Sequence, residues 1–170
     1  MLFLSFELNG DRYALDATEI AEVLPLAATK TIPGAPDWVS GILMHRGLPV
    51  PVIDVARLAL GRAAHAWRST RLVLVRYPFA AGPAAPARER LLGLIVERAT
   101  QTIRIDRDAF HDSGIATPHA RWLGPVANDA DGVVQWVAVK HILDGAARTL
   151  LFDEAAPLAD SPGDSPGSGR

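Results

Sequence analysis

The sequence predicts an all-β protein of about ten short strands, arranged either as β-barrels or as a sandwich. Apolar and polar residues alternate with a two-residue period in several short segments, as they do in half-buried strands. Turn signals rich in Gly, Pro, Asn and Asp separate these segments at intervals of roughly 8 to 12 residues. No amphipathic helix of about 12 residues is visible, and this excludes most α/β enzyme architectures.

The composition is typical of a packed globular chain. Its 170 residues are enough for one domain, or for two small subdomains that share a core. An apolar fraction of 49% with only 21% charged residues is too apolar for wholesale disorder. The formal net charge of −2 predicts no overall attraction to nucleic acid or to an anionic membrane. Because cysteine is absent, disulfides, thiolate nucleophiles and zinc fingers are excluded.

The amino-terminal stretch predicts a strand and not a signal peptide. It is apolar, but it contains Glu7 and lacks a basic leader. No apolar run approaches the roughly 20 residues that a membrane-spanning helix needs. We therefore expect a cytoplasmic protein with no direct membrane insertion.

The first elements are a β-hairpin and a short ambiguous segment. Apolar and polar residues alternate from Leu2 to Leu8, and the second strand runs from Arg12 to Asp16. Between them, Asn9-Gly10 suits a type I′ turn, in which both central residues need positive φ. Residues 17–24 follow as either a single helical turn or an irregular edge. The segment Ile32 to Pro36 is a loop with proline corners.

A second strand pair and a short helix come next. The strands run from Ser40 to Arg46 and from Leu48 to Val55, on either side of Gly47. Val55 to Leu60 predicts a short helix that Gly61 closes.

The second half of the chain contains most of the remaining strands. Residues 78–90, rich in Ala, Pro and Gly, predict a solvated loop, and residues 107–118 are irregular. Asp131-Gly132 is a second hairpin-type turn. The predicted strands are Arg71–Tyr77, Leu91–Ala99, Thr100–Ile105, Trp122–Ala127 and Val133–Val139.

The carboxyl-terminal part divides at residue 153. His141 to Asp144 predicts a short helix, and Leu150 to Phe152 are apolar enough to pack back on the body. Residues 154–170 consist mainly of Ala, Pro, Gly, Ser and Asp, and such a segment cannot bury enough surface to offset its ordering entropy. We expect one folded domain over residues 1–153 and a disordered tail over residues 154–170.

Catalytic and metal-binding motifs are not evident. The five histidines show no spacing typical of a metal site, and no P-loop, G-x-G-x-x-G run or G-x-S-x-G elbow occurs. A small β-barrel hydrolase or lyase that uses scattered residues, for instance His45 with Asp54, remains an alternative. A barrel that binds single-stranded nucleic acid is disfavoured by the acidic net charge. Arg46 stands at the corner of two apolar strands, where spacing alone favours a solvated turn residue over a partner contact.

The order of several short segments resembles the CheW family over residues 2 to 152. No single segment is diagnostic, but their order and spacing are specific. The matching segments are FLSFELNGDRYALD at the start, IAEVL from Ile20, IPGAP from Ile32, GILMHRG from Gly41, PVIDV from Pro51, GLIVERA from Gly93 and ILD from Ile142.

The resemblance implies a fold of two SH3-like five-stranded β-barrel subdomains with short helices, and no catalytic residue, cofactor or metal. It implies a non-enzymatic adaptor for chemotaxis-like signalling. The partners would be the regulatory domain of a CheA-type histidine kinase and the cytoplasmic tip of a methyl-accepting chemoreceptor, with no nucleic acid. Matched position by position, the receptor-binding residues would be Ile20, Glu22, His45, Arg46 and Gly47, in a groove between the subdomains that accepts an amphipathic receptor helix.

Some positions depart from the family pattern. Met44-His45 stands where the family has Asn-Leu, and Glu97 stands where Asp is usual. The loop over residues 78–90 is longer than the family's compact version. These differences are similar to those of a divergent paralogue, such as a member of a Wsp-type chemosensory system.

Overall fold

The computed structural model describes residues 1–80 and 82–152. Within them the backbone forms nine strands, two short α-helices and three 3-10 turns. The strands are β1 (Leu2–Leu8), β2 (Asp11–Asp16), β3 (Ile20–Pro25), β4 (Val39–His45), β5 (Leu48–Asp54), β6 (Arg71–Phe79), β7 (Arg88–Arg104), β8 (Leu123–Asp129) and β9 (Gly132–Val137). The helices are α1 (Val55–Leu60) and α2 (Gly145–Phe152), and the 3-10 turns are Ala17–Glu19, Arg107–Ala109 and Val139–His141.

The nine strands form two five-stranded groups that share β7. Strand pairing runs in the order β3-β6-β7-β1-β2-β9-β8, and β5 pairs with both β4 and β7. The first subdomain is therefore β3, β4, β5, β6 and the beginning of β7, and the second is β1, β2, β8, β9 and the end of β7. The predicted fold class is confirmed, although pairing between the named strands does not close either sheet completely.

Strand β7 differs from the prediction because it is one long strand where two were expected. It pairs with β6 from Arg88 to Val96, and its end pairs with β1. The register with β1 shifts between the two halves, and Arg98 lies there with a φ of +52°. Such a bulge bends a strand without ending it. The polar residues around Thr100 mark this bend, and the sequence pattern alone does not distinguish a bend from a break.

Residues 17–24 contain both a helical turn and a strand. Asp16 accepts a hydrogen bond from the Thr18 backbone N–H (2.9 Å) and caps the 3-10 turn, after which β3 begins at Ile20. Strand β3 pairs antiparallel with β6, almost 50 residues later. A strand this short depends on that partner for its stability, so local propensity leaves its conformation open.

The predicted loop over residues 78–90 is shorter in the structure, because β6 and β7 continue as a paired ribbon to Phe79 and Arg88. The predicted helix at residues 141–144 is also displaced. A 3-10 turn ends at His141, and α2 then contains Leu150 to Phe152. Residues 154–170 lie outside the described residues.

The main hydrophobic core joins the two subdomains. It contains side chains from β1, β5, β6 and β7 together with Phe152, whose ring stacks on that of Tyr77 at a centroid distance of 5.4 Å. The predicted packing of the chain end against the body is thus confirmed for Phe152. Two smaller clusters lie within the individual subdomains. No helix within residues 1–80 and 82–152 is long and apolar enough to cross a membrane.

The segment between β3 and β4 covers the free edge of β4. The Lys30 N–H donates to the Ile42 carbonyl (2.9 Å), and the Ile42 N–H donates to the Lys30 carbonyl (2.8 Å). This approach is close because Gly41 has no side chain: a Cβ there would lie 2.1 Å from the Lys30 carbonyl oxygen. The first subdomain is therefore completed by backbone pairing outside its named strands.

Candidate functional site

The candidate site is built on the tight turn between β4 and β5. Arg46 and Gly47 both have positive φ, +50° and +78°, and they connect the paired residues His45 and Leu48. A two-residue hairpin turn with positive φ at both positions is the type that suits the twist of antiparallel strands. Arginine is unusual at such a position, where a side chain costs roughly 1 kcal/mol or more. A residue kept there against its backbone preference is a reasonable candidate for a functional role.

Glu22 connects this turn to strand β3. Its Oε2 atom lies 3.1 Å from Nε2 of His45 and 3.5 Å from a terminal guanidinium nitrogen of Arg46. Strands β3 and β4 are not hydrogen-bonded neighbours, so this contact depends on the tertiary fold. The structure therefore brings together four of the five predicted residues, namely Glu22, His45, Arg46 and Gly47.

The members of this cluster differ in exposure. The His45 side chain is 15% exposed, whereas that of Arg46 is 79% exposed. Glu22 thus contacts the largely buried imidazole of His45, while the Arg46 guanidinium extends into solvent. Because a guanidinium has five N–H donors, one contact with Glu22 leaves most of them available. The arrangement can bind a carboxylate or backbone carbonyl groups of another molecule.

Ile20 lies apart from the cluster. Its side chain is half-buried and packs against the main core, and the pairing of β3 with β6 shifts between Ile20 and Glu22. The Ile20 carbonyl accepts a hydrogen bond from the Arg76 side chain (3.0 Å). Ile20 therefore supports the local backbone, and its contribution to a binding surface stays a prediction.

Three exposed apolar side chains in β3, β4 and β5 were not predicted. They are Val23 (43% exposed), Met44 (64%) and Leu48 (65%). Leu48 also lies at the rim of a cleft of about 400 Å³ that β5, β7 and the end of α2 enclose. Strand alternation places Val23 and Met44 on the faces opposite to Glu22 and His45. That alternation was visible in the sequence, but it does not show which face of a strand is covered.

The predicted catalytic alternative has no geometric support. His45 and Asp54 are at opposite ends of a strand pair that is about 20 Å long. Asp54 caps α1 by accepting a hydrogen bond from the Arg57 N–H (3.1 Å), and it also accepts one from the Ala64 N–H (2.9 Å). Among the described residues, no group of three or more His, Cys, Asp or Glu side chains could hold a metal ion.

A separate groove lies between the two subdomains. It has a volume of about 320 Å³ and is lined by Trp38 and Leu58 from the first subdomain and by residues within 118–122 and 140–148 from the second. None of the five predicted receptor-binding residues lines it. The cluster at the β4–β5 turn and this groove are therefore distinct surfaces.

Comparisons with known proteins agree with this fold. The CheW-like domain model matches residues 2–147. "Chemotaxis protein CheW" of Bacillus subtilis (strain 168) is 24% identical over 156 residues, which cover 91% of this chain and 84% of that protein. The Helicobacter pylori (strain ATCC 700392 / 26695) protein of the same name is 27% identical over 104 residues, which cover 61% of this chain and 56% of that protein.

A solved structure has the same fold. The crystal structure of the scaffolding protein TtCheW from Thermoanaerobacter tengcongensis superposes with a TM-score of 0.71 at 21% identity, covering 84% of this chain and 87% of that one. The family match extends over both subdomains, including the β4–β5 turn and Glu22. The chain therefore belongs to the CheW-like domain family, the non-enzymatic scaffold proteins of chemotaxis.

Proposed function

We propose that this protein is an adaptor that couples a methyl-accepting chemoreceptor to a CheA-type histidine kinase. The observation that carries the proposal is the cluster of Glu22, His45 and Arg46 on the rigid β4–β5 turn. The proposed receptor contact is the Arg46 guanidinium, with Gly47 permitting the tight turn. The complex would form in the cytoplasm, where receptor tips and kinases meet.

The surroundings of Arg46 suit a helical partner. An amphipathic helix presents apolar side chains together with polar groups on one side. Exposed Leu48, which is paired with His45 across the β4–β5 hairpin, offers apolar contact area near the charge, and buried apolar area beside an arginine is typical of interface hot spots.

The experiment uses Arg46→Asn and co-sedimentation with membranes that contain a chemoreceptor of the same organism. Asparagine tolerates positive φ, so the turn is preserved while the guanidinium is removed. Because the Arg46–Glu22 ion pair is largely exposed, its loss should change the free energy of unfolding by less than about 1 kcal/mol. Receptor affinity should fall by about 10-fold or more if Arg46 is a hot spot.

The matched control is Arg68→Asn, which changes an exposed arginine outside the cluster. It should retain full receptor binding. Full binding by Arg46→Asn, with the thermal unfolding unchanged, would contradict the site assignment. Kinase binding is measured in parallel with the isolated regulatory domain, and retention of kinase binding by Arg46→Asn would show that the two partners use different surfaces.

A further inference from the structure

The bend of β7 carries a buried carboxylate. Strand β7 stops pairing with β6 at Val96 and pairs with β1 from Glu97 on, so Glu97 lies where the strand passes from the first subdomain to the second. The Glu97 side chain is only 3% exposed. A carboxylate buried to this extent is costly unless it is paired and hydrogen-bonded. The partners of Glu97 therefore decide how firmly the bend is held.

The hydrogen bonds to Glu97 within the described part of the chain all come from the loop over residues 61–70, which connects α1 with β6. Nη1 of Arg62 donates to Oε1 (2.6 Å) and Nη2 donates to Oε2 (3.4 Å), while the His65 backbone N–H donates to Oε1 (2.9 Å). Burial by itself raises the pKa of Glu97, but the hydrogen bonds from Arg62 and His65 outweigh it and hold the pKa below its usual value. One ionised carboxylate thus fastens the loop to the bend.

The imidazole of His65 is coupled to the same bend through Trp67. The two rings stack at a centroid distance of 4.6 Å with an interplanar angle of 10°. The guanidinium of Arg98 lies over the Trp67 ring, 4.6 Å from its centroid, in a cation–π contact. Because Arg98 has positive φ at the bend, a movement of the His65 ring acts on the backbone there through this stack.

The Nδ1 atom of His65 lies between two opposite charges. It is 3.1 Å from Nη1 of Arg62 and 3.3 Å from Oε1 of Glu97. In the neutral imidazole Nδ1 can accept a hydrogen bond from Arg62, whereas in the imidazolium both ring nitrogens are donors and Glu97 is the acceptor within reach. Histidine is the side chain whose charge ordinarily changes between about pH 5 and 8. The geometry therefore offers a partner to each protonation state.

The other charged groups around the ring affect this balance less directly. Arg98 lies beyond the Trp67 ring, and it pairs with Glu7 of β1 (3.3 Å), so the charges of these two side chains oppose each other. The charge of Asp54, which caps α1, acts on Arg62. Protonation of His65 therefore changes mainly the contacts among Arg62, His65 and Glu97, because two cations then share one buried carboxylate.

We propose that Arg62, His65 and Glu97 form a proton-sensitive clamp on the bend of β7. With His65 neutral, Arg62 holds Glu97 and also donates to His65. When His65 is protonated, its Nδ1–H donates to Glu97, Arg62 loses one acceptor and is repelled by the imidazolium, and the beginning of the loop at Arg62 is loosened. The proposal does not rest on the receptor assignment, since none of these residues belongs to the Arg46 cluster.

The test is an NMR titration of the full chain that follows the exchange of Arg62 guanidinium protons with water. Arg12, which holds Asp129 through two hydrogen bonds (2.6 and 2.9 Å), is the internal reference for the general effect of pH on exchange. The ratio of the Arg62 rate to the Arg12 rate should rise by about 5-fold or more between about pH 7.5 and about pH 5.5. Its midpoint should coincide with that of the His65 ring resonances.

Three variants locate the effect. His65→Gln keeps a polar side chain that does not titrate, and it should make the ratio independent of pH. His119→Gln, which changes an exposed histidine outside the clamp, should behave as the unaltered protein does. Glu97→Asp shortens the side chain by one methylene and should leave Arg62 exchanging fast at both pH values. If circular dichroism shows that Glu97→Asp impairs folding, His65→Gln still decides, since that side chain is 51% exposed.

Three results would overturn the proposal. A constant ratio while the His65 ring titrates would show that Arg62 does not respond to the imidazole. A pH dependence that persists in His65→Gln would assign the response to another group. A midpoint of the ratio that differs from the midpoint of the His65 ring would do the same.

Discussion

The substitution Gly41→Ala tests how the first subdomain is closed. At Gly41 the backbone has a φ of +142°, and an added Cβ would lie 2.1 Å from the Lys30 carbonyl oxygen and 2.6 Å from its carbonyl carbon. Because the obstacle is backbone, the segment that contains Lys30 must move away by roughly 1 Å to reach even a tight contact. That movement would stretch or break both hydrogen bonds between Lys30 and Ile42.

The expected cost has two parts. An unfavourable φ for an L-residue costs about 1–3 kcal/mol. The loss of two backbone hydrogen bonds costs about 1 kcal/mol each, and more if the groups stay buried without a partner. We therefore expect Gly41→Ala to reduce the free energy of unfolding by about 3–6 kcal/mol. For a chain of this size, the melting temperature should fall by about 10 °C or more.

The assay is thermal and urea unfolding, followed by circular dichroism. Gly10→Ala is the matched control, because Gly10 also has positive φ (+87°) but nothing lies within 4 Å of the added Cβ. It should cost only about 1–2 kcal/mol from backbone strain. If Gly41→Ala is no more destabilising than Gly10→Ala, the close approach of Lys30 does not stabilise the fold and the reasoning is refuted.

Two further predictions concern individual polar groups. Two hydrogen bonds from the Arg12 guanidinium (2.6 and 2.9 Å) hold the pKa of Asp129 below its usual value. The ionised Asp129 carboxylate therefore stabilises the fold above its unfolded pKa, and this stabilisation is lost as the pH falls through its folded pKa. Asp129→Asn should make the free energy of unfolding fall less steeply with pH below about pH 5. An unchanged slope of unfolding free energy against pH would contradict this. The buried Tyr77 hydroxyl has no hydrogen-bond partner among the described residues. Tyr77→Phe should therefore leave stability in urea unchanged or raise it by up to about 1 kcal/mol, whereas a loss above 1 kcal/mol would reveal an unseen partner.

The turn residues at the candidate site could be identified from the sequence, but their partners could not. The run GILMHRGLPVPVIDV predicts two strands with a corner at Arg46, and the structure has that corner. The same run does not predict the contact between Glu22 and His45, since β3 and β4 are not paired. Spacing alone favoured a solvated Arg46. The resemblance to the CheW family, and then the geometry, are what connect Arg46 to Glu22.

The groove between the subdomains could not be predicted from the sequence, for a related reason. Its lining residues Arg121, Lys140 and Arg148 are spread over 28 positions and belong to different elements. Periodicity detects residues that share a face of one element, and it does not detect residues that converge from several. The groove becomes visible only when the two subdomains are packed together.

The sequence by itself determined the class of the fold and the location of its tight turns. Strands appear in the sequence as two-residue alternation, and the tight turns appear as the Asn9-Gly10 and Arg46-Gly47 pairs. These signals are local, because the conformation of a strand or a tight turn depends mainly on residues that are close in sequence. Only the tertiary structure decided that β7 is one strand shared by two subdomains, that β3 is a strand, and that Glu22 lies beside His45 and Arg46. These features depend on partners far along the chain, whose contacts override local propensity.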